Sequence, residues 1–520
     1  MSLVSFVGKR APAFRALACV AFAAAIAAFV VGVRWGTAAA GGSDSSCYLN
    51  QARLFARGTT HIEQPLVIAA PWPRAEWSFA PAGHIPSPVR RDFIVPMCPP
   101  GLPLAMAAFR LAHVSEGLTV PLLGALGVWL TFVLGRQLHG PLTGAAAAVL
   151  FACSPIFLFQ VVQPMTDVPA ATWWLLVAVL AIEGKPAAAG LAASIAVLTR
   201  PNLLPLVGIV AIYILTRSAG EWSERDSRHE QLGRRSTVKR FRATGWLMVG
   251  LAPGLVLLAA LQTLMYGSPV ASGYGAVANL FHASNVAANL QRYPRWLWET
   301  HTPLLALAVV GPFLVRRRAD GWLCLALPAA TLIAYLPYRL FDAWWYLRFL
   351  LPGLPFLIVL SVTVIVRVVD YVIDHRYSVV AAIVIAMATM WINTARQRSA
   401  FDLRQLEHHF VEAGTFAASR FPRDAAVLTV THSGSVHYYS QRTTVSWDTL
   451  DPGSLDRTLA FLRAQGLMPY LLLDAMEEPE FRARFSAASK IGQLDWPPVA
   501  SASRTIRVYA PADRDRYFAR

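Results

Sequence analysis

The strongest constraint on this chain is a series of apolar blocks, each near the length of a bilayer core, separated by short stretches that hold most of the basic residues. A hydrocarbon core of about 30 Å takes about 20 residues of helix, because only an element that satisfies its own backbone can cross it. The blocks run roughly over 14–33, 118–135, 142–162, 168–183, 186–199, 202–216, 244–265, 301–315, 320–337, 347–367 and 378–395, which reads as about eleven spans. Charged residues make up 15% of the chain, against about 25% in an ordinary soluble protein. The formal net charge of +16 comes largely from clusters between apolar blocks. No soluble basic face with interleaved aromatics is visible, so nucleic acid is not an expected partner.

Those clusters also orient the chain. With the N-terminus inside, the connections expected on the cytoplasmic side contain Arg136, Lys185, the basic stretch from Arg217 to Arg242, Arg316-Arg317-Arg318, and Arg367 with Arg376. Each obeys the positive-inside tendency. The same parity leaves 34–117 and everything after about Arg396 on the outer side. Ala38-Ala39-Ala40 resembles a signal-peptidase site, but the preceding run is long enough to span and further spans follow. The expected home is a bacterial inner membrane, with a periplasmic C-terminal domain.

Two domains are expected: a helical membrane domain over 1–395 that includes the long loop 34–117, and a soluble α/β domain over 396–520. In the loop, Trp72, Trp77, Phe79 and Pro81 suit a surface at the membrane interface. The piece from Pro99 to Ala112 is too short to span and reads as a re-entrant or interfacial helix. Cys47 and Cys98 both fall in this loop, so an oxidising compartment would allow them to pair. In the tail, Ala425–Thr431, Tyr470–Leu473 and Ile506–Tyr509 read as strands. Asp451–Gln465 reads as a helix stopped by Gly466. His408, His409, His432 and His437 read as solvated or packing residues rather than ligands.

An acidic residue at a span end has a functional reading by default, because burying its charge is costly. Asp44 follows the first span, and Asp167 lies in Gln163-Pro164-Met165-Thr166-Asp167-Val168-Pro169; both fall on the outer side. Each could instead start a helix as a cap. Arg200, in Leu-Thr-Arg-Pro-Asn, and Arg348, in Trp-Trp-Tyr-Leu-Arg-Phe, are among the few basic residues expected there. Either can snorkel to lipid phosphate or bind the phosphate of a lipid-linked substrate.

Taken together, these motifs resemble the GT-C fold of lipid-phosphate-sugar-dependent glycosyltransferases, over roughly residues 10–395. The likeness is to the bacterial branch related to protein O-mannosyltransferases and aminoarabinose transferases. The resemblance implies an inverting transfer from a polyprenyl-phosphate-linked sugar to a lipid, glycan or protein acceptor. It makes Asp44 the base and Asp167 the second-loop acid that helps position acceptor or donor. Tyr48, Arg200, Asn202, Tyr346 and Arg348 become the substrate-binding candidates. Relatives often carry an acidic pair where Ser45 follows Asp44 here, so a divalent cation stays an open alternative and no metal ligand is assigned. A flippase for a lipid-linked sugar and a non-catalytic assembly protein are the competing readings.

Overall fold

A computed structural model describes residues 3–216 and 233–519, with side chains from 13–216 and 237–519. The first part of the basic stretch that begins at Arg217 therefore lies outside the described residues.

The chain divides into two compact units. One holds residues up to Gly36, then Gly117–Leu258 and Val277–Leu403; the other holds Thr37–Glu116, Ala259–Ala276 and Arg404–Arg520. The first is helical, and each apolar block has a counterpart in it. Leu3–Arg34, Thr119–Leu138, Asp167–Ile182, Pro186–Thr199, Leu206–Thr216, Arg318–Tyr335, Leu354–Val372 and Arg376–Gln397 are helices. Gly233–Tyr266 is a further long helix whose last turns are grouped with the second unit.

Among the described residues, five helices are long and apolar enough to cross a membrane, or six if one bent pair counts as a single span. Much of the difference from eleven is one of length: Asp167–Ile182, Pro186–Thr199 and Pro201–Thr216 are apolar but hold only 10–17 residues each, and two further blocks are broken. Pro141–Cys153 and Pro155–Val161 meet at 61°, where Ser154 leaves helical geometry and caps the second piece by accepting from Phe157 N. Proline at 155 cannot donate back into the preceding turn, so the run breaks there. The block at 301–315 becomes a 3-10 stretch, Pro303–Val309, and a single turn, Gly311–Leu314.

Small residues set the close helix contacts in this unit. A Cβ on Gly135 would lie 2.7 Å from Gly144 Cα, so Thr119–Leu138 and Pro141–Cys153 pack backbone to backbone, as membrane helices do when side chains are removed from the contact. Polar groups tie other helices. Ser194 Oγ donates toward Gly250 O and Leu251 O at 2.9 and 2.8 Å, and His301 bonds Ser154 and Thr300, both at 2.7 Å.

The second unit carries two sheets. The loop contributes Ile62–Glu63, His84–Pro86 and Phe93–Pro96, antiparallel with the last strand central. The tail contributes a five-stranded sheet in the spatial order Thr443–Val445, Ala425–Leu428, Met468–Asp474, Ile506–Tyr509, Ala500–Ser501. Its first three strands are parallel and the last two antiparallel. The helix expected at Asp451–Gln465 starts later, at Leu455, after a 3-10 turn; Asp451 makes no capping bond. Gly466 ends it with φ +76°, a conformation glycine adopts without strain.

Trp72 and Phe79 do not form a membrane-interface surface. They are buried in one core with Ala426, Leu428, Leu455, Leu459, Leu471 and Phe481 of the tail, and the Trp72 ring meets Phe461 edge-on at 5.4 Å. Large aromatic rings gain most by full burial, and the tail sheet offers that. Trp77 alone of the three stays exposed. The short piece after Pro99 is helix Gly101–Leu111, which packs on helix Asp44–Ala56.

Candidate active site

The helical unit assembles three of the expected residues around one carboxylate. Asp167 opens helix Asp167–Ile182, where the N-terminal partial charge favours an anion. Thr166 occupies the cap position but makes no capping bond. Arg200 ends helix Pro186–Thr199: its φ of −145° leaves the helical region, and Pro201 follows to start a 3-10 turn. Arg348 lies in the 3-10 run Trp344–Gly353 that leads into helix Leu354–Val372.

These three breaks converge. Arg200 Nη2 donates to Asp167 Oδ1, and Arg348 Nη1 stands 4.0 Å from Asp167 Oδ2. Side-chain exposure is 1% for Asp167, 8% for Arg200 and 14% for Arg348, so the group is largely removed from water. Burying such charges is tolerable only when they are paired. Arg348 also approaches Met165 Sδ at 3.9 Å, which fixes it against the same turn that presents Asp167.

An aromatic wall surrounds the guanidinium groups. The Arg200 guanidinium sits 5.9 Å from the Tyr335 ring and 5.7 Å from Phe349; that of Arg348 sits 5.4 Å from Tyr346 and 5.2 Å from Phe349. Tyr335 stacks on Phe349 at 4.9 Å, and Tyr346 on Phe341 at 3.8 Å. Cation–π contact of this kind holds a guanidinium in place without neutralising it. Asn289 fixes the wall from behind, donating to the carbonyls of Leu336 and Tyr338 at 3.0 and 2.8 Å. The sequence pointed to Tyr346 but not to Tyr335, Phe349 or Asn289. The stacked pair joins the end of helix Arg318–Tyr335 to the 3-10 run Trp344–Gly353 that follows it, and no short motif contains both residues.

Asn202 is exposed in the turn Pro201–Leu203 and is not part of the ion-pair group. Asp44 and Tyr48 belong to the second unit. Asp44 opens helix Asp44–Ala56 in its first turn, after Ser43 at the cap position, and is half-buried; Tyr48 is buried one turn on. Both candidate acids thus begin a helix without serving as its cap. Cys47 on this helix is joined to Cys98 by a disulfide. Among the described residues, no group of three or more His, Cys, Asp or Glu side chains is arranged to hold a metal ion.

Comparison with solved structures matches this architecture nearly end to end. Over 96% of this chain and 98% of that chain, it superposes on ArnT from Cupriavidus metallidurans with TM-score 0.55 at 14% identity. The fold is that of the GT-C glycosyltransferases. The archaeal oligosaccharyltransferase AglB from Archaeoglobus fulgidus, solved with an inhibitory peptide and a dolichol-phosphate, covers 92% of this chain and 75% of its own at TM-score 0.54 and 11% identity. The arabinofuranosyltransferase AftD from Mycobacteria covers 89% of this chain, but only 35% of its own length, at TM-score 0.52 and 13% identity. No family model matches the chain, and no curated protein matches it significantly. The GT-C fold with an appended sheet-bearing region is therefore established by shape rather than by sequence.

Proposed function

We propose that this chain is an inverting glycosyltransferase that moves a sugar from a polyprenyl phosphate to an acceptor hydroxyl on the non-cytoplasmic side of the membrane. The observation that carries the reading is the buried group in which Asp167 faces both Arg200 and Arg348 inside an aromatic wall, in a chain of GT-C fold. Two solved neighbours of this fold are described with lipid phosphates, AglB with dolichol-phosphate and ArnT with undecaprenyl phosphate.

The chemistry needs few groups. A polyprenyl-phosphate sugar carries its own leaving group. The acceptor hydroxyl gives its proton to the Asp44 carboxylate as its oxygen attacks C1 from the face opposite the phosphate. The C1–O bond to phosphate breaks, its electron pair leaves with the phosphate, and the configuration at C1 inverts. Arg348 and Arg200 stabilise the negative charge that grows on the departing phosphate, and fixed donors in a dry site do this without reorganising. Asp167 is a positioning residue here: it orients the two planar forks, whose geometry suits phosphate better than an ammonium would. Tyr346, Tyr48 and Asn202 are assigned to substrate contact.

The orientation assigned to the chain, N-terminus cytoplasmic and tail periplasmic, rests on the basic clusters. Binding of undecaprenyl phosphate to the purified chain in nanodiscs tests the phosphate assignment. Wild type should bind it, and Arg348→Ala should bind it about tenfold or more weakly; equal affinity would remove Arg348 from the phosphate site. Donor crossing the bilayer without loss of its sugar would favour a flippase instead.

A further inference from the structure

Helix Asp44–Ala56 is clasped along one face by residues from the far end of the chain. Ser46, Asn50, Arg53 and Arg57 follow each other at helical spacing and so share that face. Gly434 approaches Ser46 so closely that a Cβ on it would lie 2.7 Å from Ser46 Cβ and 2.9 Å from Ala82 O. Asn50 Nδ2 donates to Gly434 O at 3.2 Å. Arg53 donates to Tyr438 O, with its guanidinium 4.7 Å from the Tyr438 ring. Arg57 Nη2 donates to Gln441 Oε1 at 3.0 Å.

The turn before the helix is held in the same way. Tyr439 OH donates to Ala38 O at 3.3 Å and is met by Ala40 N at 3.4 Å. A Cβ on Gly41 would collide with Glu407 Oε2 and lie 2.8 Å from the Phe410 ring. Glu407 is pushed above the ordinary carboxyl range by burial, which suits a side chain packed against bare backbone. All these residues belong to one compact unit.

A helix of thirteen residues is marginal in isolation, so its place is set by what it packs against. The geometry points to the C-terminal segment as the positioning device for Asp44: Glu407, Gly434 and Tyr438 fix the helix and the glycine turn that present this carboxylate. The inference rests on Asp44 serving as the base, and it gives the appended domain a role in the chemistry without a catalytic group of its own. A general base must stand within hydrogen-bond reach of the proton it takes, and a displacement of about 1 Å can slow a reaction about a hundredfold.

The test uses the full chain in nanodiscs loaded with a radiolabelled mixture of polyprenyl-phosphate-linked sugars, with membrane extract as acceptor. Gly434→Ala pushes the clasp apart, and Asn50→Ala removes one of its bonds if the first variant folds poorly. A misfolded fraction lowers the amplitude of a single turnover, whereas a displaced base lowers its rate constant. The expected result is full amplitude with a rate constant lowered about tenfold or more in Gly434→Ala and by a smaller factor in Asn50→Ala. Hydrogen exchange should accelerate in the helix while the strands Ala425–Leu428 and Met468–Asp474 stay protected. An unchanged rate constant in Gly434→Ala despite faster helix exchange, or unchanged exchange in the helix of both variants, would overturn the clasp. Full activity in Asp44→Asn would overturn the base assignment on which it rests, a separate failure recognised by that variant alone.

Discussion

Arg348 places Nη1 4.0 Å from Asp167 Oδ2, on the oxygen that Arg200 does not use. One buried carboxylate therefore faces two guanidinium groups that arrive from separate helix breaks. Removing it leaves both cations in a site with little access to water. Asp167→Ala should destabilise the helical unit by about 3–5 kcal/mol, the range for a buried pair that loses one partner. Thermal unfolding in detergent reads this directly. A midpoint equal to wild type would mean the arginines reach solvent or lipid phosphate unaided.

Charge and geometry separate at Arg348. A lysine there keeps the charge but loses the planar fork and the stacking on Tyr346 and Phe349. Arg348→Lys should raise the donor KM about tenfold while leaving the fold intact. A KM within twofold of wild type would make Arg348 a simple point charge.

Cys47 and Cys98 are 51 residues apart, and closing a loop of that size removes about 4 kcal/mol of unfolded-chain entropy in the usual account. Non-reducing peptide mapping should recover the two peptides linked. Cys47→Ser with Cys98→Ser should lower the unfolding midpoint of the sheet-bearing unit. Two free thiols in protein taken from an oxidising compartment would contradict the pairing.

Two buried histidines give that unit an acid limit. Burial pushes His84 down to about 4 and His437 down to about 3, from an ordinary 6.5, and for His437 the neighbouring His84 and Arg53 add to the effect. Their rings lie 6.2 Å apart, so protonating both is opposed twice over. The unfolded chain takes up these protons as pH falls below 6.5 and the folded chain does not. The stability from their neutral burial is therefore complete above about 6.5 and is lost progressively toward about 4 and then 3. Glu407 and Asp448, raised by burial, work the other way. A His84→Gln and His437→Gln double variant isolates the histidine part. Its midpoint should fall less than that of wild type between about pH 7 and about pH 4.5; parallel curves would contradict the assignment.

Much of this was legible before the structure. Apolar block length placed the helices, because a bilayer enforces that length on the sequence. Asp167, Arg200 and Arg348 stood out because charged side chains beside apolar runs need partners. What stayed hidden is what depends on distant segments meeting. Trp72 and Phe79 read as interface aromatics because nothing local shows that their partners are Phe461 and Leu459 in the tail. Tyr335 and Phe349 are ordinary apolar-block residues until they stack beneath Arg200. The span count rested on apolar runs, and helices such as Asp167–Ile182 and Pro186–Thr199 are apolar yet shorter than a full crossing. The short strands Thr443–Val445 and Ala500–Ser501 were missed because so few residues carry no periodic signal.

In the proposed reaction Asp44 takes the acceptor's proton as the sugar leaves the lipid phosphate. The most direct measurement follows radiolabel in proteoliposomes that hold the full chain, polyprenyl-phosphate-linked sugars and membrane extract as acceptor. Label should move from donor lipid to acceptor with wild type, and Asp44→Asn, folded and inserted, should leave the label on the donor. Transfer at the wild-type rate by Asp44→Asn, or intact donor carried across the bilayer by wild type, would contradict the proposed reaction.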